Sequence, residues 1–301
     1  MFALPIFVLL VMTVVASCVN SIFGGYFSKK VTAGNYYTWF YCFVQSTFCG
    51  IAVAVIFLVS GGIGTFSLHT LLLGALIGVA NVLSTAACMK AFAIGPFSYT
   101  TVISSLSAII PALSGYFFGE TVTAIQYIGV FLMAVCLLLS PEKKEEEQQK
   151  RMGVKWLSLC LLAALASGAV GVLQKLHQNS AYHMEMAAFL ISGFAVSAVF
   201  AAVMLMVERG RGVAVEPPRS KKALWVIPVV GGFVFAFPHT INLFLAGVME
   251  AVIMFPTVNL CPMILSMICG FILFREKLSL RRWIGIIVGI FSTVFVSGVL
   301  G

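Results

Sequence analysis

The chain has 301 residues, 61% of them hydrophobic and 9% charged, and contains no aspartate. Soluble domains carry about 25% charged residues, so this composition cannot cover a water-facing surface and lipid must be its solvent. The net charge of +8 does not indicate nucleic acid, because the basic residues are scattered between apolar stretches and form no stripe on a polar domain.

Apolar stretches of about 20 residues, the length a helix needs to cross hydrocarbon, recur ten times. They lie at approximately 3–24, 36–59, 68–92, 97–118, 122–140, 154–176, 184–207, 223–246, 251–274 and 282–300. Each is continuously apolar and about twice the length of a barrel strand, which selects helices over a β-barrel. The expected fold class is therefore an all-α polytopic membrane protein with ten transmembrane helices.

The first stretch opens "MFALPIFVLLVMTVVASC", lacks the basic flank of a signal peptide and stays apolar to Phe23, so it reads as a span. Within it Thr13, Ser17, Asn20 and Gly24 recur on one helix face. Gln45 and Ser46 are the polar residues of the second span; Asn81, Ser84, Thr85 and Cys88 line the third, with Lys90 near its end. The fourth repeats the spacing of the first with Thr100, Ser104, Ser107 and Pro111. Polar groups in hydrocarbon are costly and tend to face the bundle interior, although hydroxyls and small residues also serve close helix packing. The amides carry more weight, since each has four hydrogen bonds to satisfy. Eight cysteines (18, 42, 49, 88, 136, 160, 261 and 269) lie within apolar runs without a C-x-x-C pair, so they read as small core residues.

Beyond the fifth span comes "PEKKEEEQQKRMG", residues 141–153, a charged stretch expected to be a solvated, partly helical linker. Further on, Gln174 and Lys175 close the sixth span, and "ERGRGVAVEPPRSKK" forms a long polar turn at 208–222. "FAFPHTINLF", from Phe235 to Phe244, is the sharpest local feature. Pro238 should kink the eighth helix and free backbone groups at mid-membrane; His239 follows, and Asn242 is one turn on. His239 reads equally as a solute or proton contact, since histidine titrates near neutrality, and as a neutral packed residue. Asn259, Pro262, Met263 and Ser266 line the ninth span, which Glu250 opens. Lys90 and Lys175 either snorkel to the interface or meet an anionic solute. "GALIG" (Gly74 to Gly78) and "GIIVG" (Gly285 to Gly289) read as helix-packing seams.

One sentence of the chain is written twice. "FGETVTAIQYIG", Phe118 to Gly129, returns as "FREKLSLRRWIG", Phe274 to Gly285, an offset of 156. Each copy falls between the fourth and fifth span of its half. Thr123 with Gln126 forms a capping box and Ser279 can cap the equivalent helix. Glu120 and Glu276 precede those helix N-termini, where the dipole favours negative charge. The first spans also match, with Ser17, Ser21 and Gly24 opposite Ser167, Gly171 and Gln174 at an offset of 150. Three segments follow: a first five-helix repeat at 1–140, the linker at 141–153, and a second five-helix repeat at 154–301. Five is odd, so the second copy enters the membrane from the opposite side and the halves form an inverted-topology repeat.

Charge orients the bundle. Sixteen of the eighteen Lys and Arg fall in loops on one side, Lys90 points to the same side, and only Lys175 lies toward the other. The positive-inside rule makes the rich side cytoplasmic and puts both termini outside a plasma (inner) membrane.

The span count, the 5+5 duplication, and the segments "SSLSAIIPALSGYFFGETVTAIQYIG" (Ser104 to Gly129), "NLCPMILSMICGFILFREKLSLRRWIG" (Asn259 to Gly285) and "MKAFAIGPFSYTTV" (Met89 to Val102) resemble the drug/metabolite transporter superfamily, EamA type. The repeat motif of that group maps onto Glu120, Gly129, Glu276 and Gly285. Arg275 stands where the family has glycine, and family members keep both termini in the cytoplasm, opposite to the charge bias here. The resemblance implies a central cavity built from helices 1–4 and 6–9, with helices 5 and 10 peripheral.

The expected function is secondary transport of a small organic solute by alternating access. The expected solute contacts are Asn20, Gln45, Asn81, Lys90, Ser104, Gln174, His239, Asn242 and Asn259. Proton or ion coupling is an open part of that expectation; the partners are the solute and the lipid bilayer, and no cofactor or metal is implied. The alternative is a non-transporting membrane scaffold or assembly protein. An enzyme is disfavoured, since the chain lacks aspartate, H-E-x-x-H, G-x-S-x-G and any Cys/His ligand set; a primary pump is disfavoured because no Walker A sequence is present.

Overall fold

The computed structural model describes residues 5–31, 34–120, 123–139, 143–211, 217–273 and 280–296. Among them the chain forms helical segments only. In order they are α1 (Ile6–Tyr26, continued by a π turn at Phe27–Val31), α2 (Asn35–Val59), α3 (Leu68–Ile94), α4 (97–118), α5 (Ala124–Leu139), α6 (Lys143–Gln178), α7 (Met186–Gly210), α8 (Lys221–Val248), α9 (Ala251–Leu273) and α10 (Leu280–Val296). Among the described residues, seven stretches are long and apolar enough to cross a membrane, drawn from α1–α4 and α6–α8. Ala124–Val135 and Ala251–Ser266 are shorter apolar helices in α5 and α9. The protein is a multi-pass membrane protein.

Local chemistry sets several boundaries. Ser67 caps α3 by accepting from the Thr70 amide at 3.2 Å, and Ser220 caps α8 by accepting from Ala223 at 3.2 Å. The Thr123–Gln126 capping box is present: the Thr123 amide donates to Gln126 Oε1 at 2.8 Å and the Gln126 amide to Thr123 Oγ1 at 3.4 Å. Ser279 and Glu276 lie outside the described residues.

Two elements depart from expectation. Residues 143–153 are helical and run on into the sixth span, so α6 has 36 residues, a longer helix than the partly helical connector expected there. Lys, Glu and Gln are all strong helix formers, and high charge does not oppose a helix once a span nucleates it. Second, α4 alternates between α segments (Phe97–Ser104, Ile109–Ser114) and 3-10 turns (Ser105–Ala108, Gly115–Phe118). Pro111 supplies no amide to the helix ladder, and Ser105 and Ser114 donate their hydroxyls to the Thr101 and Pro111 carbonyls at 2.8 and 2.7 Å, which competes with regular winding.

Helix packing has two-fold regularity. α3 packs on α6 as α1 packs on α8; α3 on α7 as α2 on α8; α4 on α6 as α1 on α9. The pairs α2·α7, α4·α9 and α5·α10 map onto themselves. Exchanging helices 1–5 with 6–10 leaves this pattern unchanged, as expected for two five-helix units around one axis.

Glycines let the tightest seams form. A Cβ at Gly78 would collide with the Gly193 carbonyl, and one at Gly74 would lie 2.9 Å from the Phe189 carbonyl, so "GALIG" is the surface on which α7 seats. Ser197 Oγ donates to the Gly78 carbonyl at 2.7 Å across that seam. In the outer pair, Ser292 Oγ of α10 donates to the Gly129 carbonyl of α5 at 2.7 Å. Gly129 and Gly285 are both buried, as a packing role for the repeat motif requires.

Candidate functional site

A cavity of about 260 Å³ lies between the two units, lined from α1, α2, α3, α4, α6, α8 and α9. Eight of the nine expected contacts meet there: Asn20, Gln45, Asn81, Ser104, Gln174, His239, Asn242 and Asn259. Ser17, Ser84, Thr85, Cys88, Ser107, Ser167 and Ser266 add a wall of small polar groups, while Tyr41, Phe92, Phe235 and Phe255 supply aromatic surface.

Lys90 is the exception and is not among the lining residues. Its ammonium sits 4.9 Å from the centre of the Trp39 ring, a cation–π contact away from the cavity. Cys88 and Met89 occupy the lining face; one residue further, the 100° advance per residue carries Lys90 off that face. α7 also contributes no lining residue, in contrast to the expected set of helices 1–4 and 6–9. Its seam with α2 and α3 holds it behind them.

The polar wall is partly pre-organised. Gln45 Nε2 donates to Asn20 Oδ1 at 2.6 Å and to the Tyr41 hydroxyl at 3.4 Å, joining α1 to α2. Ser84 Oγ donates to the Ala163 carbonyl at 3.1 Å, joining α3 to α6. Asn259 Nδ2 donates to the Phe255 carbonyl at 2.8 Å, one turn back on α9. Asn242 Oδ1 is buried with no hydrogen-bond partner. His239 stands edge-on to two rings, 5.2 Å from Phe194 and 4.3 Å from Phe235 between centroids, which fixes its plane beside the cavity. The sequence Pro238-His239 places these groups where α8 lacks a backbone donor for the Val234 carbonyl, four residues before the proline.

At one end of the bundle a buried ion pair joins three helices. Glu120, just past α4, pairs with Lys175 near the end of α6; their side chains are 12% and 7% exposed. Glu120 Oε2 also accepts from the Ala251 amide at 2.7 Å, and Lys175 donates to the Met249 carbonyl at 2.9 Å. Glu120 therefore caps α9, across the molecule, and not the α5 helix that follows it in sequence. Two glycines make this fold-back feasible. Gly119 has φ +77°, a left-handed turn that aims Glu120 inward, and a Cβ on Gly115 would collide with the Glu120 carboxylate. Gln174, the neighbour of Lys175, lines the cavity.

The loops at that end are joined by Glu185. It accepts from Thr65 Oγ1 at 2.8 Å, the Ser67 amide at 3.0 Å and Ser67 Oγ at 2.6 Å, tying the α6–α7 loop to the α2–α3 loop. Those hydrogen bonds, from the Ser67 hydroxyl foremost, hold its carboxyl down at about 2. Nothing local in the sequence marks Glu185 or the Glu120–Lys175 pair, because each contact spans more than fifty residues.

An all-helical bundle with a polar cavity between two symmetric units is the build of a membrane transport protein. Residues 154–298 match the EamA-like transporter family. That part of the chain is similar to the EamA type of the drug/metabolite transporter superfamily. A solved structure described as "Crystal structure of protein" aligns with a TM-score of 0.67 over 96% of this chain and 97% of its own, at 13% identity, a likeness of fold alone. No curated protein matches.

Proposed function

We propose that the protein is a secondary transporter that carries a small organic solute across the plasma (inner) membrane by alternating access. The carrying observation is the cavity: its amides come from helices of both units, and the packing around it is two-fold regular. The two units are residues 1–140 and 154–301, with 143–153 an extended arm of the second. Asn20, Gln45, Asn81, Ser104, Gln174, His239, Asn242 and Asn259 hold the solute, through hydrogen bonds that the aromatic walls shield from water. Lys90, held on Trp39, is not among them. Passage toward the Glu120 end requires α4, α6 and α9 to part there, which breaks the Glu120–Lys175 pair. The basic loops lie in the cytoplasm and the Glu120 end faces outside.

Counterflow in proteoliposomes tests this reading. A carrier concentrates a labelled solute against an excess of the same unlabelled solute on the far side, whereas a channel or a scaffold does not. Asn259→Ala should lower the flux at least tenfold, a loss of about 1.4 kcal/mol in transition-state stabilisation, while the protein still elutes as a folded species. Absence of counterflow across a broad metabolite panel would favour the scaffold alternative. His239→Ala, assayed with and without an imposed pH gradient, separates a proton-coupling role from plain solute contact.

A further inference from the structure

The distribution of charge around the cavity bounds what it can hold. We infer that the transported solute carries no ionised group and presents N–H or O–H donors from a flat, partly apolar body. This rests on the transporter reading above and adds the chemical class.

None of the cavity-lining residues among the described ones is Asp, Glu, Lys or Arg. The lysines nearest in sequence to lining residues are already engaged: Lys175 by Glu120 and the Met249 carbonyl, Lys90 by the Trp39 ring. The α9 N-terminus, where helix amides would otherwise favour a carboxylate or phosphate, is occupied by Glu120 at the Ala251 amide. An ammonium, a carboxylate or a zwitterion entering such a site would lose its hydration without meeting a permanent counter-charge, His239 being neutral unless it takes up a proton, and an unpaired buried ion is strongly disfavoured. Neutral dipoles face no such barrier.

The hydrogen-bonding pattern adds direction. Asn242 offers a buried oxygen that nothing in the protein satisfies, and Asn259 gives one of its two amide N–H groups to the Phe255 carbonyl, while its oxygen stays open as an acceptor. Two acceptors on adjacent helices call for donors on the solute. The cavity, of about 260 Å³, has the scale of a small-molecule site.

Benzamide, benzoate, benzylamine and phenylglycine share one ring and differ in ionisation at neutral pH. Titrating each into the purified full chain, followed by thermal melting and calorimetry, tests the class directly. The expected result is that benzamide binds at least about tenfold tighter than its three ionised relatives. N,N-dimethylbenzamide, which lacks the amide N–H, should lose most of that advantage. Equal or tighter binding of an ionised member overturns the class and leaves the carrier reading standing. Binding confined to benzamide, without counterflow of it or of any other solute, supports the class and overturns the carrier. No binding by any member together with no counterflow overturns both.

Discussion

The two ends of the bundle share a backbone plan and differ in chemistry. At one end Glu120 and Lys175 form a buried ion pair that ties α4, α6 and α9 together. At the other, Trp156 Nε1 of α6 donates to Thr100 Oγ1 of α4 at 3.2 Å, Lys90 rests on Trp39, and the ion pair of Glu208 with Arg211, at 3.0 Å, stays within the end of α7. The likeness is one of helix packing, and one position stands out in the difference. At the offset of 150 that relates the first spans, Lys175 falls opposite Gly25, which has no side chain to pair. Two units of like packing can thus differ in where an ion pair ties separate helices together.

The largest effect is expected at the lock itself. Lys175→Met strands a carboxylate in a buried setting and should destabilise by about 3–5 kcal/mol, read as a lowered melting temperature in detergent. Removing both partners, Glu120→Gln with Lys175→Met, should recover a large part of that loss. A single Lys175→Met variant that melts like the parent would mean that the pair does not hold this end closed.

The glycine seams come next. Gly78→Ala pushes a methyl group into the Gly193 carbonyl and should cost about 1–3 kcal/mol through overpacking, measured by the same melting experiment. At the Glu185 junction the comparison is with pH. The carboxyl is held at about 2, below its ordinary 4.5. A depressed folded value stabilises above the unfolded one and loses that contribution as pH falls through the folded value. The melting-temperature gap between the parent and Glu185→Gln should therefore be constant above about pH 5 and narrow progressively from 4.5 toward 2. A gap that does not change across that window would remove the carboxylate from the account.

Gly24→Ala should have the smallest effect, within about 0.5 kcal/mol. A Cβ there meets only Met89 and Phe92 atoms at 3.9 Å, ordinary contact. It lines the cavity, so solute affinity is the sensitive readout and melting the control.

Much of the cavity was legible because an amide inside an apolar run has few affordable places to go, and Asn20, Gln45, Asn81, Asn242 and Asn259 all reached it. Lys90 did not, because its direction depends on one residue of helical register and on where Trp39 stands. Glu120 was recognisable as a cap, but the helix it caps starts 131 residues away, a pairing that only the assembled halves define. At 143–153 a partly helical connector was expected, and the extent of the helix follows from good helix formers adjoining a span that could extend them. α7, placed among the cavity helices by the resemblance alone, is held behind α3 by the close approach that Gly74 and Gly78 allow.

The mixed winding of α4 has a mechanical consequence. A 3-10 turn rises about 2.0 Å per residue against 1.5 Å for an α-helix, so α4 holds stored length in Ser105–Ala108 and Gly115–Phe118. Rewinding both as α-helix would shorten the rod by roughly 4 Å. Glu120 rides on its tip, so a change of pitch within one helix would retract the carboxylate from Lys175 and uncap α9 in a single stroke.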